Sequence, residues 1–347
     1  RQKMVRPKGY NCPEIDYTTR QGERFTVKVR DYDIRYLDRV SEEDRHNHIN
    51  LIHRARKGDR QAENKLSEIK QDLYKSMRSR FIRKGDLVES DLVVPYTASG
   101  DYSPHQIADK GACLLDLSRK GFNTPDFSIL SSSVYALGKD ERQKCLLESI
   151  DNLEKLSGRK IGDSRNPLLI AMRSAMPVYL PGFMPTYLNV GLTTSMLEGL
   201  PDRYGKQATI RIRLNNRKTI LGALAPDTYR HYGKTIKPYL SPDKSRKISI
   251  QIEDDIRRIN PELLEDPYAQ IVFFLSSVYD YYEKHRDTLG NFMGKKTCFP
   301  SVIIQRMVCS VIDTQSFAGL LYSRLPRSGE GGHLHFARII YGEELMT

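Results

Sequence analysis

Apolar residues recur along this chain with two different periods, and the periods change near residue 105. Before that point the pattern is helical. Ala62, Leu66, Ile69, Leu73, Met77 and Phe81 are spaced 4, 3, 4, 4 and 4 apart, which places them on one helix face. Arg78, Arg80, Arg83 and Lys84 follow as positive charge near the helix C-terminus. A preceding helix can start at Ser41 and stop at Lys57-Gly58. Together they predict a helical hairpin, preceded by a polar, irregular stretch over 1–22 and a short strand from Phe25 through Val27 and Val29. Val93 to Ser103, with Pro95, Gly100 and two serines, reads as a linker.

Beyond His105 helix and strand patterns alternate. Gln106 to Lys120 and Lys139 to Leu156 predict helices; Phe127 to Ser131 and Leu168 to Met172 predict strands. A helix is expected from Thr186. Alternation at Ile210, Ile212 and Leu214, and at Ile248, Ile250 and Ile252, predicts two more strands, with Asn215-Asn216 turning the first toward Lys218 to Ile220. Asp266-Pro267 caps an aromatic helix that runs to His285. Val302 to Val311, Gly319 to Arg324 and His335 to Tyr341 predict a β-rich end. The layout is α/β or α+β with a terminal antiparallel sheet.

Composition narrows this only a little. The 347 residues suit two domains, or one with an insertion. No run of 18 apolar residues exists to span a membrane. The net charge is +12, and +7 of it lies in residues 1–90, where 22 basic side chains face 15 acidic ones. Such a surplus favours anionic partners without choosing among nucleic acid, nucleotide phosphates and a membrane surface, and it equally suits a plain solvated surface. Cys12, Cys113, Cys145, Cys298 and Cys309 lie far apart without C-x-x-C spacing, so neither a disulfide framework nor a zinc site is expected, and a reducing cytoplasm is the simplest compartment. The chain opens on Arg1 rather than Met and stops at Thr347 after a strand-like segment, which suggests a piece of something longer.

Three segments can carry chemistry. Asp109-Lys110-Gly111-Ala112 can bring an ammonium and backbone N–H groups to a phosphate, or be a plain turn. Leu168 to Gly191 ends a strand at Arg173-Ser174 and continues through Pro177, Pro181 and Gly182. An arginine there can grip a phosphate in two places, or sit in a structural ion pair. Val302 to Glu330 contains a strand able to offer an adenine-binding backbone edge.

Taken together, these segments resemble the pyruvate phosphate dikinase and phosphoenolpyruvate synthase families. Lys110-Gly111-Ala112 with Leu114, Gly121, Pro125 and Phe127 resembles "GGKGANL…GLPVPPGF". Asn166 to Arg173-Ser174, Pro181-Gly182-Phe183-Met184, Thr186 and Leu188-Asn189 are similar to "NPLLVSVRSGA…MPGMMDTVLN". Asp266-Pro267-Tyr268 with Gln270, Val278 and Tyr279 resembles "DPYEQL…AVF". Gln305-Arg306-Met307-Val308 and Gly319 to Glu330 are similar to "VQxMV" and "GVAFTRNPSTGE", and Tyr341-Gly342-Glu343 to "YGE". The five segments keep the family's order over residues 105–347.

The resemblance implies an α+β, ATP-grasp-like nucleotide-binding domain with two subdomains over 96–347, behind a basic N-terminal extension over 1–95. It implies ATP and Mg²⁺ as cofactors. Lys110 and Arg173 would bind the ATP phosphates, with Gly182, Phe183, Met184 and Thr186 in the loop over them. Gln305, Met307 and Val308 would border the adenine, and Arg324 and Glu343 would lie near the site. In the family ATP phosphorylates a histidine on a separate domain, and a further domain passes the phosphate to pyruvate, giving phosphoenolpyruvate. Those domains are the expected partners, with a homodimer left open and neither nucleic acid nor membrane expected. The metal-binding carboxylate would lie beyond Thr347. None of the eight histidines sits in a "TSHAA"-type segment, so no catalytic residue is assigned and this stretch alone is expected to be inactive.

The departures are specific. A glycine of "GGKG" is Asp109, the aspartate of "GMMDT" is Pro185, and the asparagine of "TRNP" is Leu325. They leave room for two alternatives: a related phosphotransferase with another acceptor, and a nucleotide-binding regulatory module that has lost phosphate chemistry.

Overall fold

A computed structural model describes residues 14–18, 24–28, parts of 47–68, 87–122, 124–177, 183–233, 235–236, 240–292, 298–309, 318–324 and 331–339. Two compact units emerge: Arg1–Arg83 with Gly121–Asn123, and Lys84–Lys120 with Thr124–Thr347.

In the first unit, β1 (Glu14–Thr18) and β2 (Arg24–Lys28) form an antiparallel hairpin, with Tyr17 opposite Phe25. β1 lies in the stretch read from sequence as irregular. The expected helical hairpin lies largely outside the described residues, but its joint is visible. Gly58 has φ +90, a conformation that glycine adopts without cost, and Asp59 then accepts from the N–H groups of Gln61 and Ala62 at 3.0 and 3.1 Å.

The second unit is built on a five-stranded sheet in the order β3-β4-β7-β5-β6: β3 (Val93–Pro95), β4 (Phe127–Leu130), β5 (Ile170–Ala175), β6 (Thr186–Val190) and β7 (Ser301–Arg306). Every neighbouring pair is antiparallel. The start of the expected linker is therefore strand β3, with Val93 and Val94 fully buried. Successive side chains point to opposite faces of a strand, so each face has its own core. Phe127, Ile129 and Ile303 pack under α1 (Pro104–Arg119) with Ile107, Ala108 and Leu115. Leu130, Ile170, Met172, Val302 and Ile304 pack on the other side. There they meet α2 (Lys139–Ser157), α4 (Lys206–Leu224), α6 (Pro242–Ile259) and α8 (Pro267–Lys284). Short helices α5 (Pro226–Gly233) and α7 (Glu262–Glu265) join this core, while α3 (Leu200–Tyr204) and α9 (Arg286–Phe292) pack in two smaller clusters. β8 (Ala318–Arg324) and β9 (Gly331–Ile339) form a separate two-stranded ladder. The architecture is α+β.

Three expectations are corrected. The strands read at 210–214 and 248–252 are the interiors of α4 and α6, and Asn215-Asn216 lies within α4 rather than at a turn. Their buried stripes are partly polar: Ala208, Ile212, Asn216 and Ile220 on α4, and Ser245, Ile248, Ser249, Ile252 and Ile256 on α6. The apparent alternation of two comes from apolar residues beside those stripes, such as Ile250, which is 43% exposed. The helix expected from Thr186 is edge strand β6, held by pairing to β5. β7 ends at Arg306, and Met307 to Cys309 is no longer strand.

The polar residues in α4 have partners. Asn216 Nδ2 donates to Asn189 O at 2.8 Å and to Gln270 Oε1 at 3.2 Å, and Gln270 Nε2 donates to Leu192 O at 2.8 Å. This network fixes the end of β6, where Asn189 takes φ +55, and the turn that follows it at Leu192.

Candidate functional site

The site begins with the start of α1. Ser103 and Gln106 form a capping box, with Ser103 N–H donating to Gln106 Oε1 at 2.9 Å, and Pro104 supplies a preset first turn. At Ala108 the backbone leaves helical geometry (φ 57, ψ 166), and the helix resumes through Asp109-Lys110-Gly111. Gly111 lets this turn settle onto the sheet, because a Cβ there would stand 3.1 Å from Ile129 Cδ1 and 3.3 Å from Ile107 Cβ. Lys110 is thereby held above the sheet face that carries Arg173.

Arg173 sits on β5, opposite Ile303 on β7 and Thr186 on β6, and residues paired this way share a face. Its Nη1 donates to Gln305 Oε1 at 3.3 Å, while its Nε is buried without a partner. Burial pulls the Lys110 pKa below the ordinary lysine range, and the Arg173 charge pulls it further. Burial also lowers that of Arg173. Among the described residues neither forms an ion pair. Two cations brought together on one sheet face, without a carboxylate partner, create a local demand for an anion.

The other expected residues fall into three groups. Thr186 and Gln305 join the pair: one lies opposite Arg173 and the other accepts its hydrogen bond. Phe183 and Met184 turn their side chains into an aromatic cluster with Tyr135, Tyr282, Leu289 and Phe299. Phe183 is edge-on to Tyr281 and to His285, with ring centroids 6.2 and 5.8 Å away. Those side chains anchor the loop. Met307 packs beside Leu169 and Tyr204, its N–H donating to Leu169 O at 2.8 Å, while Val308 is 53% exposed. β7 is flanked by both β4 and β5, so a free backbone edge can begin only past Met307. Arg324 is in β8, and Gly182 and Glu343 lie outside the described residues.

Sequence reasoning missed Ser174. Its N–H and Oγ–H both reach Pro185 O, at 3.3 and 2.7 Å, closing the loop between β5 and β6 where it re-enters the sheet. The Arg173-Ser174 dipeptide held that signal. Beyond β6 a groove of about 680 Å³ opens between Thr186, Leu188, Asn215, Lys218, Phe273 and Tyr281. Neither Lys110 nor Arg173 lines it. Among the described residues no group of three or more His, Cys, Asp or Glu could hold a metal, and no helix is long and apolar enough to cross a membrane.

No family model matches the chain. It is 26% identical over 265 residues to a pyruvate, phosphate dikinase of Rickettsia conorii (strain ATCC VR-613 / Malish 7), covering 70% of this chain and 29% of that protein. It is 23% identical over 266 residues to one of Clostridium symbiosum, with the same coverage. A chloroplastic pyruvate, phosphate dikinase of Mesembryanthemum crystallinum matches at 23% over 264 residues, 27% of its length. The chain spans less than a third of the length of these curated relatives. Over 70% of its length the chain is thus similar to several pyruvate, phosphate dikinases at once.

Proposed function

We propose that residues 96–347 bind ATP as the ATP-grasp-like, nucleotide-binding part of a dikinase-type phosphotransferase. The phosphate would pass from ATP to a histidine on a separate domain, and on to pyruvate. The basic extension expected over 1–95 precedes it, its last residues Val93–Pro95 already forming strand β3 of the domain's sheet. The reading places the protein in the cytoplasm, where thiols such as Cys113 and Cys145 stay reduced.

One observation carries this reading: Lys110 and Arg173 are brought together, partly desolvated, with no acidic partner among the described residues. Phosphoryl transfer depends on positioning and on neutralising the charge of the phosphates. Lys110 supplies a compact charge from the helix start, where N–H groups also favour anions. Arg173 supplies a planar fork, its Nη1 oriented by Gln305 and its Nε unused. Thr186 offers a hydroxyl beside it, and Ser174 holds Pro185 so that the loop starts from a fixed point. The described residues offer no carboxylate set for Mg²⁺, so the metal enters none of these roles.

A second reading is a nucleotide-binding module without transfer. Pro185 favours it, because the loop's carboxylate position holds a proline whose carbonyl is spent on Ser174.

Calorimetric titration with ATP, with and without Mg²⁺, tests the proposal. Lys110→Ala and Arg173→Ala should each weaken binding by about 1.5–3 kcal/mol, the worth of a charge-assisted contact. ATP binding that neither change alters would reject it. Binding without phosphate transfer to a histidine-bearing dikinase domain added in trans would select the second reading.

A further inference from the structure

Arg159 and Arg203 meet at the ring of Tyr204, which packs with Met307 next to Arg306, and we propose that the three arginines form an anion site for a phosphate group, separate from the Lys110–Arg173 pair. Arg159 comes immediately after Gly158, whose φ of +66 ends α2. Its Nη1 donates to Tyr204 Oη at 3.1 Å. The Arg203 guanidinium lies 5.8 Å from the centroid of the same ring, and Tyr204 is 8% exposed. Arg306, at the end of β7, donates from Nε to Asp126 Oδ2 at 2.7 Å.

The charges do not balance. Asp126 answers Arg306, but among the described residues neither Arg159 nor Arg203 forms an ion pair. Arg159 and Arg203 are half-buried, and what receives the Arg159 hydrogen bond is a phenol rather than a carboxylate. Burial lowers the proton affinity of Arg159; Tyr204 works against this, and the charges of Arg203 and Arg306 add to it. A structural ion-pair network would bring one carboxylate per guanidinium. This cluster lacks two, in a setting where charge is poorly screened. Guanidinium forks match the oxygen spacing of a tetrahedral oxyanion, which makes a phosphate group the fitting occupant.

The site is distinct by register. Arg306 pairs with Ile170, three positions along β5 from Arg173. An odd offset turns the two side chains to opposite faces of the sheet. The inference does not depend on ATP binding at Lys110.

The probe is inorganic phosphate, titrated into the chain at constant ionic strength and followed by thermal unfolding and calorimetry. Saturable stabilisation is expected. Arg159→Gln and Arg203→Gln should each weaken it about tenfold, and Lys110→Ala should leave it unchanged. If Arg159→Gln fails to fold, Arg203→Gln still decides. Stabilisation matched by chloride, or phosphate binding retained in folded Arg203→Gln, overturns the proposal.

Adding ATP at saturating phosphate identifies the source of the group. Additive stabilisation assigns free phosphate, and competition that Arg203→Gln abolishes assigns a nucleotide phosphate; both support the site. Competition lost in Lys110→Ala but kept in Arg203→Gln moves the phosphate to the other pair and overturns it.

Discussion

Arg217, with a fully buried side chain, donates from Nε to Glu253 Oε1 at 2.8 Å and so ties α4 to α6. Arg213 grips the other oxygen of the same carboxylate at 2.5 Å, and Arg217 Nη1 also reaches Leu192 O at 2.9 Å. One carboxylate thus joins two helices, and the arginine it holds pins the turn that follows β6.

Glu253→Gln should cost about 3–5 kcal/mol in chemical denaturation, because it leaves Arg217 buried without its countercharge. Burial works to raise the Glu253 pKa, but its hydrogen bonds to Arg213 and the Arg217 charge prevail and hold it below the ordinary carboxylate range. A lowered folded-state pKa gives stability that is complete above the unfolded value of about 4.3 and lost as pH falls through the folded one. The wild-type stability curve should therefore drop on the acid side, and the variant's should drop less.

Gly111→Val should push α1 away from Ile129, since even a Cβ would stand only 3.1 Å from that side chain. Overpacking of this kind costs about 1–3 kcal/mol. ATP affinity should fall along with the unfolding midpoint, because the same shift separates Lys110 from Arg173. A variant with lowered stability and unaltered affinity would show that α1 does not set that spacing.

Ala108→Gly should stabilise the chain by about 1 kcal/mol. Ala108 occupies φ 57, ψ 166, a conformation that costs a residue with a Cβ roughly 1–3 kcal/mol. The loss of one buried methyl offsets only part of that gain. Urea midpoints measured at equal slope would decide the sign.

Gln305→Ala should weaken ATP binding less than Arg173→Ala, and the two should not add. The amide acts by orienting the guanidinium, so it has little to contribute once the guanidinium is gone. A double-mutant cycle on the ATP dissociation constant measures this, and strict additivity would assign Gln305 a separate contact.

ATP affinity should also weaken with rising pH before an ordinary lysine would titrate, at about 10.4. Burial and Arg173 hold the Lys110 proton more loosely than usual, so the ammonium is lost early. Lys110→Arg should flatten that dependence.

The sequence pattern anticipated elements whose local signals agree with their tertiary surroundings. Asp266 caps α8 as its spacing suggests, accepting from Tyr268 N–H at 2.7 Å, and Phe127 to Leu130 is a buried strand. It failed where buried positions are polar. Asn216 and Arg217 on α4, and Ser245 and Ser249 on α6, occupy the core stripe without being apolar, while Ile250 is apolar yet 43% exposed, so counting apolar residues alone picked out an alternation that is not the buried stripe. β6 was missed because its strand character comes from pairing with β5. For the candidate site, the motifs singled out Lys110, Arg173 and Gln305 but gave no sign that Gln305 bonds Arg173. The Ser174–Pro185 clasp and the Tyr204 arginines were not legible, since each depends on segments that meet only in the folded chain.

β7 sits between β4 and β5, yet it is the last of the five strands to be synthesised. Phe127 finds its neighbour at Gln305, and Ala171 finds the same residue from the other side. Until that late segment leaves the ribosome, the nascent chain carries two strand edges with nothing to zip them together. Closure across such a span is entropically slow and exposes sticky backbone in the meantime. Synthesis must therefore pass β7 before the central platform exists, and Arg173 and Gln305 become neighbours in that same event.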